Sequence, residues 1–285
     1  MTAKEQKRQE KKDFVYADKA QTDILLEVPS DNNPYIAKSA CLHGYDVLEL
    51  MAKKSFVETL LLLFTGELPA PEKVQLLEQL MIGLINPGPR HPAVKAAMVA
   101  GVSKANVEHL LPVGLSVLGG KSNGAKEVEQ AMVFLQENKD KSAQEIIGGL
   151  LKTSARGAVQ GEFHLFPGFG NSYGAIDEFS VSLAAQLFNG SESTSGFIAL
   201  GQAINNELKA YDMGWLKTGI AATVFCELGV SSRQGCGLFQ LLCAPGILAH
   251  GVEQTHKPIT AIPMLSDEQH TYTPEIDLNK VKADE

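Results

Sequence analysis

Phe163-His164-Leu165-Phe166-Pro167-Gly168-Phe169-Gly170-Asn171-Ser172-Tyr173-Gly174 is the stretch from which the rest of the chain is best read. Gly168, Gly170 and Gly174 leave the main chain without a Cβ at three points within seven residues. Such a segment can enter positive φ and let another group approach the backbone closely. Pro167 and the aromatic residues on both sides restrain it. Helically periodic sequence lies before and after, so the stretch reads as a shaped turn between helices, and the class as mainly α. A second turn of the same kind, Leu118-Gly119-Gly120-Lys121-Ser122-Asn123-Gly124-Ala125-Lys126-Glu127, also lies between helical runs. Two small-residue turns imply a cleft. The plainer alternative is that both are only tight connections between helices.

Working outward, Ser55-Phe56-Val57-Glu58 fits a capping box, in which the Ser hydroxyl and the Glu carboxylate exchange bonds with each other's amides. The run Leu60-Leu61-Leu62-Leu63-Phe64 that follows is apolar nearly all round, hence buried, and Gly66 is placed to end it. Pro71 suits a first helical position, and Val74, Leu77, Leu80, Met81, Leu84 and Ile85 recur at helical spacing after it. Prolines in Asn86-Pro87-Gly88-Pro89-Arg90-His91-Pro92 stop that helix. Further helices are expected over 93–102, 107–118 (bent at Pro112), 127–137, 143–153, 179–188, 194–208, 215–228 and 236–252, with a short strand at 24–28. Apolar, small-residue helices fall at 36–125 and 214–265, the more polar ones at 126–213. This divides the chain into a large helical domain, a smaller inserted helical domain, a weakly structured lead at 1–35 and a tail at 266–285.

The chain has 285 residues, 44% hydrophobic and 20% charged, which is ordinary for a globular protein with a substantial core. A net charge of -8 argues against nucleic acid or an anionic membrane as partner, although Lys4, Lys7, Arg8, Lys11 and Lys12 form a small basic cluster diluted by Glu5 and Glu10. The four cysteines contain no CxxC pair, so neither a metal site nor a disulfide framework is indicated. No secretory leader and no apolar run of membrane-spanning length stands out, which makes a cytoplasmic protein the expectation.

In order along the chain, Leu42-His43-Gly44-Tyr45-Asp46-Val47-Leu48-Glu49-Leu50, Leu62-Leu63-Phe64-Thr65-Gly66-Glu67-Leu68-Pro69, the turn Gly119 to Ala125 and the loop Phe166-Pro167-Gly168-Phe169-Gly170 resemble motifs of the citrate synthase family. So do the late runs Gly219 to Val230 and Gly246 to Gln254. The nearest subgroup by this resemblance is that of citryl-CoA lyases and the C-terminal module of ATP-citrate lyase. The resemblance implies a large helical domain with a smaller inserted one, a homodimer or even-numbered oligomer, and chemistry on an acyl-CoA. That chemistry makes or cleaves a C–C bond using an aspartate base, histidines and carboxylate-binding arginines, with CoA thioester as substrate and no other cofactor. It also implies that the working residues are replaced here. Ser122 stands for one histidine, Asn171 and Ser172 for the His-Arg after the Gly-rich loop, Asn86-Pro87 for an Asp-His pair, and Thr218 for the aspartate, with Asp212 nearby.

Two functions of different class follow. One is an enzyme acting through replacement groups, with His164, Asn171, Ser122, Tyr173 and Asp212 as catalytic candidates and Asp177 and Glu178 beside them. The other is a non-catalytic homologue that binds a ligand or a partner subunit. Gly168, Phe169, Gly170, Ser172, Gly119, Gly120, Lys121, Asn123 and His91 are the candidate substrate- or CoA-binding residues, with Lys126 and Arg156 as further cations. For His43, His164 and His250 a purely structural role competes with a functional one.

Overall fold

The computed structural model describes residues 19–153, 163–189 and 196–271. The basic cluster at 4–12, Arg156 and most of the expected tail lie outside them. The chain forms two compact units, one running through Val74 and the other from Gln75 onward. Eleven α-helices and two three-stranded sheets make up the described residues, so the protein is mainly α, as its helical periodicity implied.

In the first unit, β1 (Leu25–Pro29), β2 (Ala37–Leu42) and β3 (Tyr45–Asp46) form an antiparallel sheet in that order. Helix α1 (Val47–Lys53) starts at Asp46, whose carboxylate accepts from the Leu48 and Glu49 amides. Helix α2 (Phe56–Thr65) carries the capping box read from the sequence: Ser55 Oγ accepts from the Glu58 amide at 3.1 Å, and Glu58 Oε2 accepts from the Ser55 amide at 2.8 Å. That amide, with Lys54 beside it, holds the Glu58 carboxyl below the ordinary glutamate range. Gly66 ends the helix at φ 78°, a left-handed position where a Cβ is costly. His43 Nε2 lies 3.3 Å from the Leu63 carbonyl. Helix α3 (Pro71–Leu84) begins at its proline.

The second unit is built on one long helix. Helices α4 (Pro92–Val102), α5 (Val107–Leu118) and α6 (Ala125–Glu137) all pack on α11 (Ser232–Gln254). The contact between α4 and α11 is backbone-close, since a Cβ on Gly101 would overlap the Gly251 carbonyl. Pro245 interrupts α11, and Gly246 N–H donates to the Ile85 carbonyl at 2.9 Å, outside its own helix. By length and composition α11 could cross a membrane, a property the sequence reading did not assign to any segment; here its apolar side is buried among α4, α5 and α6. Helix α10 (Lys217–Leu228), buried along almost its whole length, packs on α6 and on α9 (Phe197–Leu208); α7 (Ala143–Thr153) lies against α9, and α8 (Glu178–Leu187) against α10.

The Gly-rich stretch itself departs from expectation. It is a hairpin of β4 (Phe163–Phe166) and β5 (Phe169–Asn171), extended by β6 (Gly214–Trp215), rather than a turn between helices. Pro167-Gly168 makes the turn, Gly168 at φ 85°, as a proline followed by a positive-φ residue favours. Its aromatic residues bury as a ladder: ring centroids lie 4.4 Å apart for Phe134–Phe166, 4.9 Å for Phe166–Phe169 and 4.6 Å for Phe169–Trp215. Trp215 therefore belongs to this sheet and not to the following helix.

Candidate functional site

Within the second unit a cavity of about 670 Å³ opens between several pieces of chain. Asn86, Arg90, His91 and Lys95 come from the break between α3 and α4 and from the first turn of α4. Ser122 and Asn123 belong to the turn before α6, and Ser172, Tyr173, Asp177 and Glu178 to the segment joining β5 to α8. Leu216, Lys217 and Thr218 at the start of α10, with Phe239 and Cys243 of α11, complete the wall.

Each piece is held by identifiable local chemistry. His91 is the N-cap of α4: its Nδ1 accepts from the Ala93 amide at 3.1 Å. A neutral ring that accepts at Nδ1 carries its proton on Nε2, which faces the Asn123 carbonyl at 3.0 Å. Asn123 sits at φ 53° and donates its N–H to Glu127 Oε2 at 2.7 Å. The other oxygen of Glu127 accepts from Gly168 N–H at 3.0 Å and meets His164 Nδ1 at 2.5 Å. Glu127, 1% exposed, thus ties the turn before α6 to the hairpin turn. Sequence reasoning passed it over. Its only signal was an acidic residue in the first turn of a helix, a position that favours a carboxylate reaching back to free amides.

Beyond β5 the chain turns back at Ser172–Ala175, with Ser172 N–H donating to the Ala175 carbonyl at 2.9 Å and the reciprocal bond at 3.1 Å. Tyr173 (φ 54°) and Gly174 (φ 80°) occupy the two left-handed central positions, which sets the tyrosine ring out over the cavity at 76% exposure. Asp177 accepts from the Ser180 amide and hydroxyl at the start of α8, so its carboxylate is engaged as a cap. Lys217 Nζ lies 5.2 Å from the centroid of the Phe179 ring.

The sequence candidates therefore separate into groups. Ser122, Asn123, Ser172, Tyr173 and His91 share the cavity wall. Gly119, Gly120 and Lys121 form the exposed outer part of their turn. Phe169 is fully buried in the aromatic ladder, and a Cβ on Gly170 would overlap the Phe163 carbonyl. Gly168 packs backbone to backbone against Gly219, where a Cβ would stand 2.5 Å from the Gly219 Cα. Each of these glycines serves close packing behind the wall. Asn171 and His164 also lie behind it, and Asp212 stands at an exposed left-handed position (φ 55°) away from it. Lys126 is bonded to Glu129 at 2.6 Å. His250, in α11, meets Asn86 Nδ2 at 3.2 Å. The cations that do reach the cavity, Arg90, Lys95 and Lys217, had no motif to mark them. Cys243 is also on the wall, and burial pushes its thiol up to about 12, so it is an uncharged apolar group at neutral pH.

No family model matches the chain, and no characterised protein sequence matches it significantly. Solved structures do. Citryl-CoA lyase from Hydrogenobacter thermophilus aligns with a TM-score of 0.71 at 22% identity, covering 92% of this chain and 99% of that one. A variant of ATP citrate lyase from Methanosaeta concilii in complex with (3S)-citryl-CoA aligns with a TM-score of 0.71 at 14% identity over 97% of this chain, which spans 45% of that protein. Citrate synthase from Thermotoga maritima aligns with a TM-score of 0.54 at 14% identity over 92% of this chain and 96% of that one. The chain has the citrate synthase-like fold, shared with citryl-CoA lyase and with a portion of ATP citrate lyase.

Proposed function

We propose that this is a ligand-binding citrate synthase-like protein whose cavity holds an acyl compound bearing an anionic group, a CoA thioester or a related acid, without the ordinary condensation or cleavage chemistry. The observation that carries the reading is the distribution of charge around the cavity. Three cations, Arg90, Lys95 and Lys217, face it, which suits a carboxylate or phosphate. The two lining carboxylates are poor candidates for a base. Asp177 is committed to capping α8, and Glu178 is exposed. Neither described acid–imidazole pair in this region lines the cavity: Glu127, paired with His164, is also bonded to backbone amides, and His250, 4.0 Å from Glu253, reaches the cavity only through Asn86. That two of the similar structures were solved with citryl-CoA, or with citrate and coenzyme A, makes these ligands the first to try.

A thermal-shift panel of acyl-CoAs, citrate and oxaloacetate tests the reading, because a ligand that binds only the native state raises its melting temperature. A concentration-dependent rise with at least one of them, lost in Arg90→Ala and Lys217→Ala, is the expected result. A flat response across the panel would remove it. The same reading includes a homodimer, supported by Val113 and Val117, 39% and 41% exposed one turn apart on α5; light scattering at micromolar concentration decides it.

A further inference from the structure

The break between α3 and α4, which brings Asn86 and Arg90 to the cavity, is tied to α11 by a hydrogen bond that exists in one protonation state only. Asn86 Oδ1 accepts from the Gly88 amide at 2.9 Å, with Gly88 itself left-handed at φ 93°. Only an oxygen can accept there, so the amide is fixed in orientation and its NH₂ group is the end that meets His250 Nε2 at 3.2 Å. An NH₂ group only donates. Nε2 must therefore accept, and the neutral ring carries its proton on Nδ1, on the side of Glu253 Oε2 at 4.0 Å. Protonated at both nitrogens, the ring has no acceptor left and presents an N–H to the Asn86 NH₂. Turning the amide over satisfies the ring but sets the NH₂ against the Gly88 N–H. One of the two bonds is lost either way.

We propose that His250 is a proton-sensitive latch on residues 86–90: neutral, it holds Asn86 and with it the placement of Arg90; charged, it releases them and weakens binding in the cavity. The proposal rests on the binding function above and adds its regulation. Release is confined to this segment, because Gly246 N–H still holds the Ile85 carbonyl before it and His91 caps α4 after it. Glu253 is the one carboxylate within 4.0 Å of the ring among the described residues. Lys257, bonded to Glu253 at 2.8 Å, holds that carboxyl below the ordinary glutamate range, and His250 adds to the effect. Glu253 is thus charged throughout pH 5–8, where imidazoles titrate, and an acceptor awaits the second ring N–H. The other charged or titratable groups on the elements packed here are Arg90, His91 and Lys95, Lys104 after α4, and Glu108 and His109 of α5. Lys126 and Glu129 of α6 act on Cys236 toward the start of α11, and Lys217 of α10 acts on Cys243.

Nuclear magnetic resonance of the full-length protein without ligand, between about pH 8 and pH 5, tests the latch directly. At the upper end the ring nitrogens should report a neutral imidazole protonated on Nδ1, and the Gly88 amide should shift with the same midpoint as the ring. In His250→Gln, whose amide oxygen takes the place of Nε2 and does not titrate, the Gly88 signal should stay put. A ring protonated on Nε2, or a Gly88 amide indifferent to the ring's titration, overturns the latch. Both are read on the parent, whatever the stability of the variant. Calorimetric titration with acetyl-CoA then reads the site. On acidification the parent should lose about two- to tenfold more affinity than His250→Gln, the worth of one hydrogen bond. His91 lines the cavity in both proteins, so its own charging, which favours an anion, cancels in the comparison. Equal changes in the two overturn the regulation while the binding function stands. If acetyl-CoA binds neither protein at any pH, binding and regulation fall together, and the Gly88 titration still decides whether the latch exists.

Discussion

Glu127 is the single residue on which the geometry around the cavity depends most. One buried carboxylate accepts from the amides of Asn123 and Gly168 and pairs with His164. Replacing it by Ala strands two backbone donors, each worth about 1–3 kcal/mol when left unpaired in the interior. Glu127→Ala should therefore lose about 2–5 kcal/mol in urea denaturation, with faster hydrogen exchange at the Asn123 and Gly168 amides. Glu127→Gln, which keeps an acceptor oxygen, should lose less. Equal losses for the two would show that the carboxylate's bonds are not what holds the turns. The buried cysteines give a second residue-scale expectation. Burial pushes the Cys226 and Cys243 thiols up from 9.0 to about 12. A raised folded-state value means that the native chain keeps its proton where the unfolded chain has lost it. Stability is then fully present below pH 9 and falls as pH climbs from 9 toward 12, by about 1.4 kcal/mol per pH unit for each thiol. A Cys243→Ala variant should show a shallower alkaline decline than the parent in pH-dependent denaturation. An identical decline would contradict the burial assigned to that thiol.

Among the elements, helix ends were the most legible in sequence. The Ser55/Glu58 box, the left-handed Gly66 and the Pro71 start are local: each depends on residues within four positions of one another, so spacing alone reveals them. Ser55→Ala should cost about 1 kcal/mol of the stability of its unit. The hairpin 163–171 was not legible as a hairpin. Its strands have only four and three residues, too few for alternation to stand out from helical flanks, and β6, which completes the sheet, lies more than forty residues further on. The same distance problem hid the site's cations, since Arg90, Lys95 and Lys217 meet only once α10 packs into the second unit. Where helices meet, glycine is required by space rather than by φ. Gly101→Val would drive two methyl groups and a Cβ into the Gly251 carbonyl on α11, so a loss of about 3 kcal/mol or more is expected by thermal denaturation. A loss below 1 kcal/mol would mean that α4 and α11 are not packed this closely.

For the molecule as a whole, the function proposed above separates fold from chemistry. The ordered motifs read from the sequence pointed to a citrate synthase-like fold, and the structural likeness agrees, while the wall of the cavity carries Arg90, Lys95 and Lys217 together with Asp177, which caps α8, and the exposed Glu178. A protein so built should bind an acidic acyl compound and turn it over very slowly, because losing one positioned acid or base commonly removes a factor of about 10²–10⁴. The most direct measurement is a calorimetric titration of acetyl-CoA into the parent protein and into the Arg90→Ala/Lys217→Ala double variant, with product formation followed in the same samples after oxaloacetate is added. Saturable binding by the parent, at least tenfold weaker in the double variant, with no condensation product, is the expected result. Absence of binding by the parent, affinity unchanged in the double variant, or rapid formation of product would contradict it.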